Sequence, residues 1–309
     1  MITVVVLSER LDAVLPAAAL PALRSASAVY AGAGVPLDYW APLGVDGPAP
    51  ASLPDGSVVL TTEPDAYPGA VVIFTPEPAG SRLLDAAAVM DRLRSPGGCP
   101  WDAEQDHSSL RQYLIEETYE LLEAIEDGDR GAMREELGDV LLQVLFHSRI
   151  AVEHPSDAFS IDDVSADLVA KLVGRHPHVF EGHDPAVHDA TSQQHRWEEL
   201  KQVEKKRESS VDGVALGQPA VALAAKLVQR VRRAGFPVDL LPEGDDTGVT
   251  LFAVAALAKL AGEDPETELR AICRRFVANV RDAESKARAE GIESLSAEDW
   301  RRFWTATER

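Results

Sequence analysis

Cysteine is nearly absent from this chain. Cys99 and Cys273 are the only two in 309 residues, too few for a disulfide framework and in keeping with a reducing compartment. No apolar run is long enough to span a membrane. No basic segment precedes the apolar residues 2–7, so the start of the chain reads as a strand and not as a signal peptide; a cytoplasmic protein is expected. Positive charge is scarce too: 30 Lys and Arg against 51 Asp and Glu leave a formal charge of −21. No dense basic stripe offsets that excess, which argues against a nucleic acid polymer as partner. A nucleotide stays open, because a bound metal screens charge locally.

What the chain does have is two short acidic runs. Glu116-Glu117-Thr118-Tyr119-Glu120 is followed, after fifteen residues, by Glu136-Leu137-Gly138-Asp139. Each lies in a helical pattern, and carboxylates three residues apart share one side of a helix. Residues 133–152 are apolar nearly all round, with Val140, Leu141, Leu142, Val144, Leu145 and Phe146 covering most of the circumference. Such a helix has to be buried, in its own fold or against a partner chain. Its polar exceptions, Glu136, Asp139, Gln143 and His147, fall within an arc of about 80° at 100° per residue. A buried, unpaired carboxylate costs several kcal/mol, so these acids require a cation or a strong donor opposite them. In the preceding helix, 114–125, Glu117 sits on the edge of the apolar stripe and Glu120 about 60° further out, while Glu116 and Glu123 point to solvent. Carboxylates converging from two helices make a hard-cation site, and such cations in enzymes usually hold phosphates.

The length suits two domains, or one with an extension. Residues 1–80 hold eleven of the twenty prolines, which disfavours long helices, and three strand-like runs at 2–7, 58–62 and 70–75. They read as a small α/β extension; its Gly32-Ala33-Gly34 is not by itself a nucleotide loop. Eighty residues are too few for a complete methyltransferase, though a remnant of such a domain fits. From 82 to 207 the pattern is helical, with a stop at Ser95-Pro96-Gly97-Gly98 and a final amphipathic helix at 192–207. A polar linker, 208–218, leads to 219–309, which reads as a worn second copy. Gly235-Phe236-Pro237 parallels Gly98-Cys99-Pro100, and Gly248-Val249-Thr250 parallels Gly138-Asp139-Val140. The counterpart of the first acidic run is missing, and Val249 stands where Asp139 stands, so the second copy cannot bind metal in the same way.

Glu-Glu-x-x-Glu, a gap of this length and then Glu-x-x-Asp resembles the signature of the MazG family of nucleoside triphosphate pyrophosphohydrolases. Gly98-Cys99-Pro100-Trp101-Asp102, Arg175-His176-Pro177-His178-Val179-Phe180 and Arg196-Trp197-Glu198 are similar to the long, two-repeat form. The resemblance covers about 82–309. It implies a mainly all-α protein, a MazG-like helical bundle completed by dimerisation, with the small α/β region as an N-terminal extension. It also implies Mg²⁺ held by Glu117, Glu120, Glu136 and Asp139, with Mn²⁺ as a substitute, and hydrolysis of a (deoxy)nucleoside triphosphate to monophosphate and pyrophosphate. Glu116 or Glu120 takes the proton of the attacking water in this reading. Lys171 and Arg175, four residues apart on one helix, resemble a basic pair that neutralises the triphosphate, and Trp197 and Lys201 a pair that meets the nucleotide. Clearance of noncanonical or oxidised nucleotides follows from the family. Among rivals, a di-iron site lacks its Glu-x-x-His motifs. A zinc site at His176, His178, His183, His188 and His195 matches no common spacing. A nucleotide-binding regulator or interaction scaffold without turnover is the non-enzymatic alternative.

Overall fold

The computed structural model describes residues 1–11, 14–33, 35–182, 187–205 and 208–305, and divides into two compact units, Met1–Gly174 and Arg175–Arg309. Gly34, His183, Lys206 and Arg207 lie outside the described residues. No helix of the described residues is long and apolar enough to cross a membrane.

The first unit opens with a parallel sheet. Strands β1 (Thr3–Val6), β2 (Val29–Ala31), β3 (Gly47–Pro48), β4 (Val58–Thr61) and β5 (Val71–Phe74) lie in the order β3-β2-β4-β1-β5. The three expected strands are present and two more join them. Val29–Ala31 and Gly47–Pro48 are too short to show an alternation, and the sheet itself supplies their pairing. Both faces of the sheet carry apolar residues, as parallel strands require. Val5, Val58 and Leu60 pack with Ala19, Val29 and Trp40 on one side, and Val4, Val6 and Val59 lie on the other. The short helices α1 (Leu20–Ser25) and α2 (Leu37–Trp40) belong to the connections.

Arg10 ties this sheet to the helices that follow. Its guanidinium donates to both oxygens of Glu77 at 2.9 Å and to Asp85 Oδ2 at 2.7 Å. Asp85 lies on α3 (Arg82–Arg94), which ends at the Pro-Gly-Gly stop. There Gly97 takes φ +79°, and a Cβ on Gly98 would strike the Leu93 carbonyl. That carbonyl accepts from the Cys99 N–H at 2.7 Å. Arg94 spans the turn, donating to the carbonyls of Asp102 and Gln105 and to Glu153. It thereby pins α4 (Pro100–Glu104) beside Glu153.

The two acidic helices are α5 (Arg111–Asp127) and α6 (Arg130–Ala151). Gly128, at φ 68°, closes α5 in the left-handed region, which glycine adopts without Cβ strain. Asp129 then caps α6, accepting from the N–H groups of Gly131 at 2.8 Å and Ala132 at 3.1 Å. A two-residue joint of this kind folds the helices into an antiparallel hairpin. Met90, Leu110, Leu145 and Phe146 form its core, with Tyr113 and Ile161 against them. Helix α7 (Ile161–Gly174) completes the unit. The chain does not bury α6 all round, because α3, α5 and α7 cover only part of it. Leu137, Leu142 and Val144 stay exposed.

The second unit holds α8 (Pro177–Phe180), α9 (Ala190–Lys205), α10 (Ala220–Arg233), α11 (Thr247–Ala261), α12 (Pro265–Ala289) and α13 (Ala297–Phe303). Asp246, Asp264 and Ser296 cap α11, α12 and α13. Between α10 and α11 stands only a 3-10 turn, Val238–Leu240, where the first unit has the whole of α5 between α4 and α6.

Candidate metal centre

The α5–α6 hairpin brings three of the expected acids together. Glu117 from α5 and Glu136 and Asp139 from α6 each place one carboxylate oxygen within 4.8 Å of the other two. All three are half-buried. Glu136 Oε2 is closed off from solvent with no hydrogen-bond partner among the described residues, so half of its carboxylate lacks a donor there.

Burial pushes the Glu117 carboxyl above its usual range, and the charges of Asp139, Glu120, Glu136 and Glu116 push it further. Burial raises Glu136 likewise, followed by the charges of Glu120, Asp139 and Glu135. Nothing cationic among the described residues relieves this crowding. A divalent ion would, and an all-oxygen donor set suits a hard one such as Mg²⁺, Mn²⁺ or Ca²⁺. The residues present therefore fit the metal that the sequence implies.

Glu120 and Glu116 are exposed and stand outside the three-carboxylate cluster, acting on it through their charge. Lys171 is exposed in the last turn of α7. It does not share that helix with Arg175, which is a correction to the sequence reading. Gly174 is the last helical residue, and His176-Pro177 behind it disfavours continuation. Arg175 belongs to the second unit, only 6% exposed, with its guanidinium carbon 4.9 Å from the centre of the Trp197 ring. His176 meets the same ring at 5.0 Å in a T-shaped contact. Arg175 and Trp197, read separately from the sequence, thus form one cation–π unit. Lys201 is half-buried one turn further along α9.

The histidine-rich stretch does not gather into a zinc site among the described residues. His176 and His178 lie 5.7 Å apart, ring to ring, and His188 is exposed. His183 and the side chain of His195 fall outside the description. Glu117, Glu136 and Asp139 are the one group of three or more such donors found among the described residues. Sequence reasoning missed the pairing of His107 with His147, whose Nδ1 atoms lie 2.8 Å apart. His147 was visible on the polar arc of α6, but His107 is 40 residues away and only folding joins them.

A hairpin of helices that concentrates carboxylates able to hold a metal on a half-buried face suits a helical hydrolase, and comparison with known proteins agrees on that class. Residues 105–180 match the MazG nucleotide pyrophosphohydrolase domain, and residues 2–75 match the MazG N-terminal domain. The chain is 42% identical over 279 residues to a nucleoside triphosphate pyrophosphohydrolase of Mycolicibacterium smegmatis, covering 82% of each chain. It is 43% identical over 239 residues to the Mycobacterium tuberculosis protein of that name, covering 74% of this chain and 69% of the relative. To the nucleoside triphosphate pyrophosphohydrolase/pyrophosphatase MazG of Thermotoga maritima it is 36% identical over 252 residues, 73% of this chain and 95% of the relative. The chain belongs to the MazG family.

Proposed function

We propose that this protein hydrolyses (deoxy)nucleoside triphosphates between the α and β phosphates, giving the nucleoside monophosphate and pyrophosphate. The observation that carries this reading is the convergence of Glu117, Glu136 and Asp139 within 4.8 Å, with Glu136 Oε2 buried and unpartnered. The activity named for the relatives supports it. Glu117, Glu136 and Asp139 would hold Mg²⁺, or Mn²⁺ in its place, with Glu120 joining from the exposed side. When bound, the ion supplies Lewis-acid polarisation of phosphoryl oxygens and a water of lowered pKa.

The chain's own residues do the rest. A water oxygen bonds to phosphorus as the α–β bridging P–O bond breaks, and attack at either phosphorus gives the same two products. Glu120 or Glu116, exposed and free of the three-residue cluster, accepts the water's proton. Lys171 and Arg175 neutralise triphosphate charge, Trp197 orients the Arg175 guanidinium, and Lys201 adds a further cation near the phosphates. We further propose the division of labour read from the sequence. Residues 82–207 carry the chemistry and 1–80 are an extension. After the linker at 208–218, residues 219–309 are a degenerate second repeat without metal, consistent with the missing helix between α10 and α11. The active form is a homodimer, and its substrates include noncanonical or oxidised nucleotides in the cytoplasm.

The test is product release from a panel of standard and damaged nucleoside triphosphates with Mg²⁺, for the intact chain, Glu120→Ala and Asp139→Ala. Equimolar monophosphate and pyrophosphate from the intact chain, lost in both variants, supports the reading. Nucleotide binding without turnover across the panel would replace it with the regulator.

A further inference from the structure

Positive charge, scarce in the chain as a whole, gathers on α10 in the second unit. Its fourteen residues hold Lys226, Arg230, Arg232 and Arg233 and no acid, in a chain of formal charge −21. Lys226 stands four residues before Arg230 and Arg233 three after, so these three share a side of the helix. Arg232 is turned elsewhere and donates to the Leu260 carbonyl, in the last turn of α11, at 3.1 Å.

Arg230 is the exceptional member of this group. It is only 6% exposed, and its Nε has no hydrogen-bond partner. The other buried residues of the helix are Ala224, Ala225 and Val228, whose side chains offer no acceptor. The ion pairs of α12 and α13 go to other bases: Glu266 to Arg270, Asp282 to Lys286, Glu284 to Arg288 and Glu290 to Arg302. No ion pair among the described residues includes Arg230. A guanidinium taken out of water without a counter-charge is strongly unfavourable, and buried charges are otherwise paired. The fold therefore holds a cation in want of an anion.

We propose that Arg230 is the centre of a metal-independent site in the second unit for a phosphoryl oxyanion, the group shared by orthophosphate, pyrophosphate and nucleotides. The Nε–H and the adjacent Nη–H of a guanidinium form a fork that matches two oxygens of one phosphoryl group. The open Nε is one half of that fork. Lys226 and Arg233 have contacts of their own within the fold, and they add positive charge on the same side of α10. Lys226 Nζ donates to the neutral amide oxygen of Gln229 at 3.1 Å, which leaves the ammonium's charge in place. Three cations on one side of a helix suit a multiply charged phosphate better than a singly charged carboxylate. The site uses none of Glu117, Glu136 and Asp139, which lie in the first unit, so it goes beyond the proposed hydrolysis and does not depend on it.

The experiment is calorimetric titration of the intact chain in EDTA with orthophosphate, pyrophosphate, adenosine monophosphate and acetate at matched ionic strength. EDTA keeps the carboxylate cluster free of metal. Arg230→Met, Arg230→Lys and Arg175→Met are titrated alongside, each checked for native circular dichroism. Intact protein should bind at least one of the three phosphates once per chain and at least tenfold more tightly than acetate. The tightest of the three identifies the source, inorganic anion or nucleotide. Arg230→Met should weaken that anion at least tenfold. Arg230→Lys should weaken it at least threefold, because an ammonium keeps the charge and loses the fork. Arg175→Met should bind it as the parent does. In melts without metal, the same anion should raise the melting temperature of the parent and leave that of Arg230→Met unmoved. Absence of phosphate binding in EDTA would overturn the proposal, as would acetate bound as tightly as phosphate. So would an affinity that survives in Arg230→Met or is lost instead in Arg175→Met. If Arg230→Met does not fold, Arg230→Lys decides, and a phosphate affinity equal to the parent's would sink the site. Phosphate binding that follows Arg230 in a protein without pyrophosphate release would remove the proposed hydrolysis and leave this site standing.

Discussion

At Glu117 and Glu136, burial and neighbouring acids act in the same direction, and both carboxyls keep their protons to higher pH in the folded chain than in the unfolded one. The sign of the consequence follows. Above the ordinary glutamate value of 4.5 and up to the raised one, the folded state binds more protons. Metal-free protein therefore gains stability from these two groups as pH falls through that interval and loses it as pH rises. Replacing both by glutamine removes this effect, so in EDTA near neutral pH the double variant should melt higher than the parent. That difference should shrink as pH approaches 4.5, in melts followed by circular dichroism. The same change should cut turnover by on the order of a thousandfold, as loss of several kcal/mol of charge stabilisation implies. A double variant less stable than the parent in EDTA would mean that the acids already have partners. At this scale the helical wheel set Glu136 and Asp139 on a polar arc of an apolar helix, where acids are expensive, and favoured Glu117 and Glu120 in the first run; the fold brings Glu117, Glu136 and Asp139 together and leaves Glu120 outside that cluster. The sequence could not pair Arg175 with Trp197 or His107 with His147, since side chains distant in sequence meet only through loops whose course no periodicity encodes.

The α5–α6 hairpin is the element that turns two linear motifs into one site. Its register depends on Gly128 in the left-handed region and on Asp129, whose carboxylate holds two N–H groups of the first turn of α6. Asp129→Ala should cost about 1 kcal/mol of stability. It should weaken Mg²⁺ binding alongside, because α6 carries two of the three clustered carboxylates. Melting temperature and metal affinity, measured on the same sample, check this; lowered stability with intact metal affinity would show that the helix is positioned by packing alone. The helices themselves were legible from Leu, Val and Phe periodicity, and the stop at Gly97-Gly98 from its composition. Helix α7 ends at Gly174, one residue short of Arg175; the Lys171–Arg175 spacing fits a helix equally well, and only Gly174 and Pro177 weigh against placing Arg175 on it. Strands β2 and β3 escaped for a related reason, being too short to outweigh the prolines and glycines around them.

For the molecule as a whole, the apolar surface left on α6 is informative. Leu137 and Val144 lie one heptad apart on this helix, and both remain exposed, Leu137 by 53%. The sequence demanded that this helix be covered, and the chain covers only part of it. A second copy is the occupant that the proposed dimer supplies. Sedimentation should show a dimer at micromolar concentration, and Leu137→Asp with Val144→Asp should shift it to monomer and lower turnover at least tenfold. A monomeric parent that is fully active would remove the dimer from the account. The charge of −21 bears on the same scale. Such a charge repels a nucleotide anion, so in the proposed reading binding would depend on a cation at the carboxylates and on local basic groups.

The most direct test is phosphorus NMR of the products when intact protein is given a nucleoside triphosphate with Mg²⁺, and again with EDTA. Monophosphate and pyrophosphate in equal amounts with Mg²⁺, and no turnover with EDTA, is the result expected if Glu117, Glu136 and Asp139 hold the cation that the reaction needs. Nucleoside diphosphate with inorganic phosphate, or undiminished turnover in EDTA, would contradict it.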